Sequence, residues 1–420
     1  MSRTNNPSDP GYPVAITGIG MVTPLGITMK SCWENLLLGK SGITRITKFD
    51  PENCLTQIGG QLPESYLEWE NSHIPKRMTK QTIQTTRIFR LCASDAIQDS
   101  GLEVDSLKMK RCAVVVGMSG ASVRSPEDHE TGPDKYRIIR EMFNAIPARV
   151  SLDYGFQGPS FTLSSSSESG VCAVARAYDA IRWGKADLVV TGGVDTLLTQ
   201  NFIKRFGMFN LLTADNAFPE KAIKPFDLYR SGFALSDGGC ALVLESASHA
   251  IQRNARVYAW ITGYGSFTDA GQTALSHEKM ANTLLGALKN SGLRPDHVGY
   301  ICANGTATIY NDRCETLAIK SVFGDIASHL LISATKSMLG HMMGASGVAD
   351  IAIASLALHT NKIPPTINYS DPDPECDLNY VPNKMIEVSS LKAAMTQDFG
   401  FGGHHCAMVL EKTLQDQKME

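Results

Sequence analysis

Short apolar runs that end in glycine alternate with longer amphipathic stretches along most of this chain. Val14-Ala15-Ile16-Thr17-Gly18-Ile19-Gly20 has the pattern of a buried strand running into a turn, and Cys112–Gly117 and Ala186–Gly193 repeat it. Between these runs the spacing predicts helices over about Met29–Leu38 and Gln81–Ser100, the second closed by Gly101 as a C-cap. Residues 40–75 read as loop, residues 119–140 as a polar surface excursion, and Glu141–Ser151 regains helical periodicity. Strand patterns follow at Cys240–Leu244 and Val257–Tyr264, after a loop-like stretch over 213–239. The pattern then restarts. A helix is predicted at about Glu278–Ser291, a strand at Val298–Ala303, a helix at Asn311–Phe323, a strand at Leu330–Ala334, and final pieces at Gln397–Gly403 and Ala407–Leu410. Strands alternating with helices predict an α/β fold with a mainly parallel sheet covered on both faces. Two successive βα halves, 12–250 and 251–412, imply an internal duplication with a site between them.

Composition narrows the function classes. With 420 residues the chain can bury a large core. A formal charge of −3 gives no reason to expect nucleic-acid binding. Ten cysteines are scattered from Cys32 to Cys406 with no C-x-x-C pair, which reads as reduced, buried thiols in a cytoplasmic protein. The polar stretch Met1–Tyr12 lacks the apolar core of a signal peptide. No uninterrupted apolar run reaches the roughly 18 residues of a membrane span. The most apolar region, Met342–Leu358, is broken by Asp350 and suits a closely packed core helix.

The chemistry concentrates on one turn. Gly158-Pro159-Ser160-Phe161-Thr162-Leu163 leads through Ser164-Ser165-Ser166-Ser167-Glu168 into an amphipathic helix at about Val171–Trp183. A strand, a tight turn and a helix N-terminus present a side chain beside unpaired N–H groups and the positive end of the helix dipole. Ser167 is best placed to be a nucleophile there. The bland reading of the same block is an N-cap and turn. Cys172, five residues on, faces differently and reads as packing.

Three further stretches resemble one family. They are Asn304-Gly305-Thr306-Ala307-Thr308, Lys336-Ser337-Met338-Leu339-Gly340-His341 and Phe399-Gly400-Phe401-Gly402-Gly403, with Lys224-Pro225-Phe226-Asp227 between them and the serine turn. In this order they resemble the β-ketoacyl-[acyl-carrier-protein] synthases of the KAS II type, in the thiolase superfamily, over about Pro13–Lys412. The resemblance implies a thiolase-like fold of duplicated βα halves in a layered α/β/α/β/α architecture. It implies no cofactor or metal of the protein's own, with substrates carried on the phosphopantetheine of an acyl carrier protein. It places the nucleophile at Ser167, where the family has cysteine. It places the two imidazoles of the family at Asn304, where histidine is lost, and at His341, where it is kept. Lys336, Asp312 and Glu315 match supporting positions, and Phe401 lies in the gating loop. His404-His405 stand where the family usually has Thr-Asn, either as a surface pair or as a source of the imidazole missing at 304. Lys336 and Glu315 are candidates for a buried ion pair. Lys76, Arg77 and Lys80 form a basic run where the family meets its acidic carrier, or a solvated charge run.

A thiol of pKa about 8.5 can be lowered into the neutral range by a helix N-terminus, but a serine alcohol cannot, so it needs a general base. His341 is the family-equivalent base. Asn304 can donate a hydrogen bond but cannot shuttle a proton. Glu168 is a poor base if it points along the helix away from the pocket. Normal decarboxylative condensation is therefore not expected. The leading reading is a partner subunit like the chain-length factors of type II polyketide systems, paired with an active ketosynthase in a heterodimer. The alternatives are an acyltransferase or hydrolase using Ser167 and His341, as a homodimer, and a decarboxylase using Asn304 and His341. Pocket depth is assigned to residues around Phe143–Leu152 and to the dimer partner.

Overall fold

A computed structural model describes residues 13–103, 111–119, 136–269 and 276–413. The N-terminal Met1–Tyr12 and residues 120–135 of the expected surface excursion lie outside them. Ten strands form one sheet: β1 Val14–Val22, β2 Cys112–Gly117, β3 Ser160–Leu163, β4 Leu188–Asp195, β5 Gly238–Ser246, β6 Ala259–Thr268, β7 Tyr300–Cys302, β8 Leu331–Ser333, β9 Ala393–Phe399 and β10 His404–Glu411. Their spatial order is β8-β7-β9-β10-β6-β1-β5-β4-β2-β3. Each half carries its five strands in the same arrangement: the third, second and fourth strands run parallel, and the fifth and first follow antiparallel. Within the main sheet the two half-sheets join through three residue pairs, Val14↔Ile261, Ala15↔Trp260 and Ile16↔Ala259.

The sheet is therefore mixed, not mainly parallel. Periodicity reports burial on two faces, and an antiparallel strand buried on both faces carries the same continuous apolar run as a parallel one. β1 shows this: all nine residues are buried, yet both of its neighbours are antiparallel.

The helices stack in layers. The principal ones are α1 Met29–Leu37, α2 Gln84–Asp99, α3 Ala145–Tyr154, α4 Ser169–Arg182, α5 His277–Ser291, α6 Ile309–Phe323 and α7 Ser346–Thr360. Between the half-sheets lie α4, packed on β2 and β4, and α7, packed on β7 and β9. Outside the first half lie α2 and α3. Outside the second lies α5, with α6 against it. Strand alternation feeds both faces: Ala113 and Val115 join the middle core, while Cys112, Val114 and Val116 join the outer core with Ile88, Ile146 and Val150. A third core holds Met280, Leu284 and Leu288 of α5 with Ile319 of α6 and Met395 of β9.

Local signals mark several element ends as expected. Gly101 and Gly292 adopt positive φ after α2 and α5. Residues 40–75 are more structured than their loop reading, with the helix Glu64–His73 and a two-stranded ribbon of Ile43–Arg45 and Ile58–Gly60. That helix buries only Tyr66, too little to leave a clear apolar stripe. Eight of the ten cysteines are buried. Among the described residues, Met343–Thr360 alone is long and apolar enough to cross a membrane by length and composition, and 89% of it is buried inside the protein.

The middle layer meets backbone to backbone. A Cβ added to Gly170 of α4 or to Gly193 of β4 would overlap the Gly344 carbonyl oxygen. Gly193→Ala is expected to lower unfolding free energy by about 1–3 kcal/mol, through overpacking against backbone that cannot yield. Gly207→Ala, where a Cβ meets nothing within 4 Å, is the control and should stay within about 0.5 kcal/mol of wild type. Urea unfolding curves check both.

Candidate active site

The serine turn is held by its own side chains. Ser166 takes φ 68, a left-handed conformation uncommon for a residue with a Cβ. Ser169 Oγ accepts from Ser165 N at 2.8 Å and donates to Ser166 O at 2.5 Å, closing the turn. Ser167 is thereby left 3% exposed, just ahead of α4. Cys172 is half-buried one turn on. It faces the buried Cys406 of β10, whose thiol is held well above its usual range by the Cys172 thiol and by burial.

Two segments meet this turn, and a third is tied to one of them. Gly344, which meets Gly170, follows His341 by three residues. His341 is pinned by its backbone, with its N–H to Ala234 O at 2.8 Å and its carbonyl accepting from Ser236 N at 3.0 Å. Gly400, in the loop that the resemblance marked as gating, sits directly on the turn: a Cβ there would lie 3.1 Å from Ser167 Oγ. On the strand leading to that loop, Gln397 Nε2 donates to Glu315 Oε1 at 2.6 Å, which ties β9 to the Asn304 loop.

Glu315 organises that loop. It accepts from Asn304 N at 2.7 Å, Gly305 N at 2.9 Å and Asn311 Nδ2 at 3.0 Å. Burial raises its carboxyl to about 7, although those N–H groups pull the other way. Asp312 accepts from Phe226 N at 2.8 Å and lies 3.7 Å from the Arg230 guanidinium, with burial raising it to about 6. Both acids are framework. The expected Lys336–Glu315 ion pair is not formed. Lys336 Nζ instead donates to Asp350 at 3.1 Å, both side chains 2% exposed. The sequence signal for that pairing was the single charge in the apolar run Met342–Leu358. Asn311, Gln397 and Asp350 carry no motif of their own, so sequence reasoning missed them as site residues.

Asn304 and His341 take different hydrogen-bonding roles. Asn304 is wholly buried; its Nδ2 donates to Asn311 Oδ1 at 2.9 Å and its Oδ1 has no partner among the described residues. As oriented, its Oδ1 is a free acceptor and one of its two Nδ2–H groups is committed to Asn311. His341 Nδ1 receives Met343 N–H at 3.2 Å and lies 3.0 Å from Ser346 Oγ, which itself accepts from Met342 N at 2.9 Å. A backbone N–H can only donate, so Nδ1 carries no proton and the neutral ring bears it on Nε2. Burial and the Lys336 charge hold His341 well below the usual imidazole range. It is a hydrogen-bond donor at Nε2 and a weak base.

The pair after the gating loop is placed elsewhere. Phe401 is half-exposed, with its ring against Phe206 and Phe209. His404 pairs with Thr268 across β6, and its Nδ1 lies 3.4 Å from Thr268 Oγ1. His405 is buried, with Nε2 3.2 Å from Asp269. Neither is placed against Asn304 or Ser167, so the pair sets no imidazole beside either position. Glu168 also departs from expectation. It does not point away along the helix but folds over Gly400, where a Cβ would overlap its Oε2.

Comparison with known proteins rests on the whole chain. The β-ketoacyl synthase N-terminal domain family matches residues 12–250, and the corresponding C-terminal domain family matches residues 258–370. The chain belongs to the β-ketoacyl synthase family. It is 34% identical to 3-oxoacyl-[acyl-carrier-protein] synthase 2 of Coxiella burnetii, over 95% of this chain and 98% of the relative. It is 33% identical to the enzyme of the same name from Staphylococcus aureus, with the same coverage. Among solved structures it matches a type II polyketide synthase acyl-carrier protein in complex with its ketosynthase bound to the hexaketide, with a TM-score of 0.86 and 28% identity over 96% of this chain and 99% of that one. It matches the ishigamide ketosynthase/chain length factor at a TM-score of 0.85, also 28% identical over 96% and 99%. The fold of this β-ketoacyl synthase homologue is thiolase-like, with mixed α/β layers around a large central sheet.

Two expectations follow from the buried charges. Removing one partner of Lys336–Asp350 strands the other, so Asp350→Asn should cost about 3–5 kcal/mol in denaturant unfolding. Glu315 and Asp398 are raised to about 7 and Glu168 to about 9, each mainly by burial. These values exceed the roughly 4 of an unfolded carboxyl. Their stabilising contribution is complete below about pH 4 and is lost as pH rises through 7 and then 9. The unfolding temperature should therefore fall between pH 6 and 9.5, and Glu168→Gln should flatten the upper part of that decline.

Proposed function

We propose that this β-ketoacyl synthase homologue is a non-condensing partner subunit, like a chain-length factor, that pairs with an active ketosynthase of a type II polyketide or fatty-acid system. The observation that carries this reading is the hydrogen bonding of the three catalytic positions. Ser167 has no thiol, Asn304 commits one amide N–H to Asn311 and carries no imidazole, and His341 offers a donor but no base. A condensing site needs a nucleophile that ionises on its own and two imidazole donors around the malonyl carbonyl. This pocket supplies one of those three.

Surface chemistry supports a partner. β3 is a sheet-edge strand with Phe161 41% exposed, and Leu152, Ile138, Met142 and Phe143 around the preceding helices are exposed as well. An uncovered edge strand beside apolar side chains favours burial against another chain. Lys76, Arg77 and Lys80 lie exposed on a short helix and suit an acidic acyl carrier protein, whose phosphopantetheine would bring the substrate. A cytoplasmic location accords with this role. The alternative in which His341 activates Ser167 is disfavoured by the N–H that Nδ1 receives.

Purified alone, the chain should yield no β-ketoacyl product from acyl- and malonyl-carrier-protein thioesters. Co-expressed with a ketosynthase bearing the full Cys-His-His set, it should appear in native mass spectrometry as a one-to-one complex that condenses. A homodimer that turns over by itself would overturn the reading.

A further inference from the structure

Glu168 is a buried acid that neither the framework nor the lost condensation chemistry uses. Its side chain is 1% exposed, and neither carboxyl oxygen has a hydrogen-bond partner among the described residues. It stands at the N-cap of α4 without capping it. Its Oε2 occupies the place that a Cβ would take on Gly400, and Ser167 Oγ lies 3.1 Å from the same point. The carboxyl and the hydroxyl therefore flank one spot under the gating loop. Asp398, two residues before Gly400, is wholly buried with both oxygens unpartnered. It fits only because residue 347 is glycine, where a Cβ would come within 2.5 Å of Oδ2. The other groups facing this pair are the Ser165 hydroxyl, the thiols of Cys172 and Cys406, and behind Asp398 the Lys336–Asp350 pair.

We propose that Glu168, not His341, is the proton acceptor of Ser167, and that Ser167 takes acyl groups from thioesters as a serine ester. Two carboxyls in a dry site repel each other, so the pair gives up its two protons in separate steps. Once Glu168 ionises it is a far stronger base than a solvated carboxylate. In the step itself, Ser167 Oγ attacks the thioester carbonyl carbon while its proton passes to Glu168. The carbon–sulfur bond then breaks and the departing thiolate takes that proton back, leaving acyl-serine and a free thiol. The oxyanion is met by the His341 Nε2–H and the N-terminus of α4. This chemistry stands apart from the partner role: it forms no carbon–carbon bond and does not require a second subunit.

The test is intact-protein mass spectrometry of the full chain with the hexanoyl thioester of N-acetylcysteamine, from pH 6 to 10. One hexanoyl group should add to wild type, at a rate that climbs as Glu168, raised to about 9 by burial and by Asp398, loses its proton. Ser167→Ala should abolish the adduct, and Glu168→Gln should slow it about 100-fold or more. Asp398→Asn removes the neighbouring charge, so the midpoint of the pH profile should move down. The proposal is overturned if wild type gains no adduct at pH 9.5, if the adduct maps to Cys172, or if Glu168→Gln acylates at the wild-type rate. Should Glu168→Gln fail to fold, the Asp398→Asn profile decides, and an unmoved midpoint counts against the assignment. None of these results bears on whether the chain pairs with a ketosynthase, which the native mass measurement reads separately.

Discussion

The contact of Gly170 and Gly193 with the Gly344 carbonyl governs the site. A Cβ on either glycine would overlap that oxygen, so the backbone of α4 and β4 meets the segment after His341 at a separation no side chain permits. This places the serine turn, from one half of the chain, against His341, from the other. The three residue pairs between β1 and β6 join the sheet but are too few to set that geometry. Close-packed interiors transmit small displacements instead of absorbing them. The turn, the His341 loop and the gating loop are therefore expected to shift together.

Around this contact the protein buries several charged side chains. Lys336 has Asp350, and Glu315 collects backbone and amide N–H groups in place of a cation. Among the described residues, the carboxyl oxygens of Glu168 and Asp398 have no cation or close hydrogen-bond donor beside them. Buried ions gain less from pairing than they lose in hydration, so such groups rarely raise stability. The paired ones position the motif loops. The unpaired ones keep their protons to far higher pH than solvated carboxyls, which turns a cost in stability into a local store of protons.

The same network supports the motif loops without drawing on the side chains of Ser167 or Asn304. Glu315 holds Asn304 by the main-chain N–H, which any residue at 304 supplies. His341 is oriented through Nδ1 by Met343 and Ser346, independently of Ser167. Substitution at the reacting positions leaves these supports intact. The polar frame and the side chains at 167 and 304 are thus structurally separable.

Much of this protein was legible in its sequence. Apolar period and glycine stops located the strands of the main sheet and its principal helices, though not the helix Glu64–His73 or the short ribbons, because burial pattern and C-cap geometry are local properties of the chain. Glycine-bordered motifs located the serine turn, Asn304 and His341 for the same reason. The sequence could not distinguish β1 as antiparallel, since burial on both faces looks alike in either direction. Nor could it choose Asp350 over Glu315 as the partner of Lys336, turn Glu168 back over Gly400, or send His405 to Asp269. It also could not say which nitrogen of His341 carries the proton. Each of those outcomes depends on atoms distant in the chain, on a missing Cβ or a backbone N–H brought close only by folding. Residue types set which interactions were available, and the packing of the two halves selected among them.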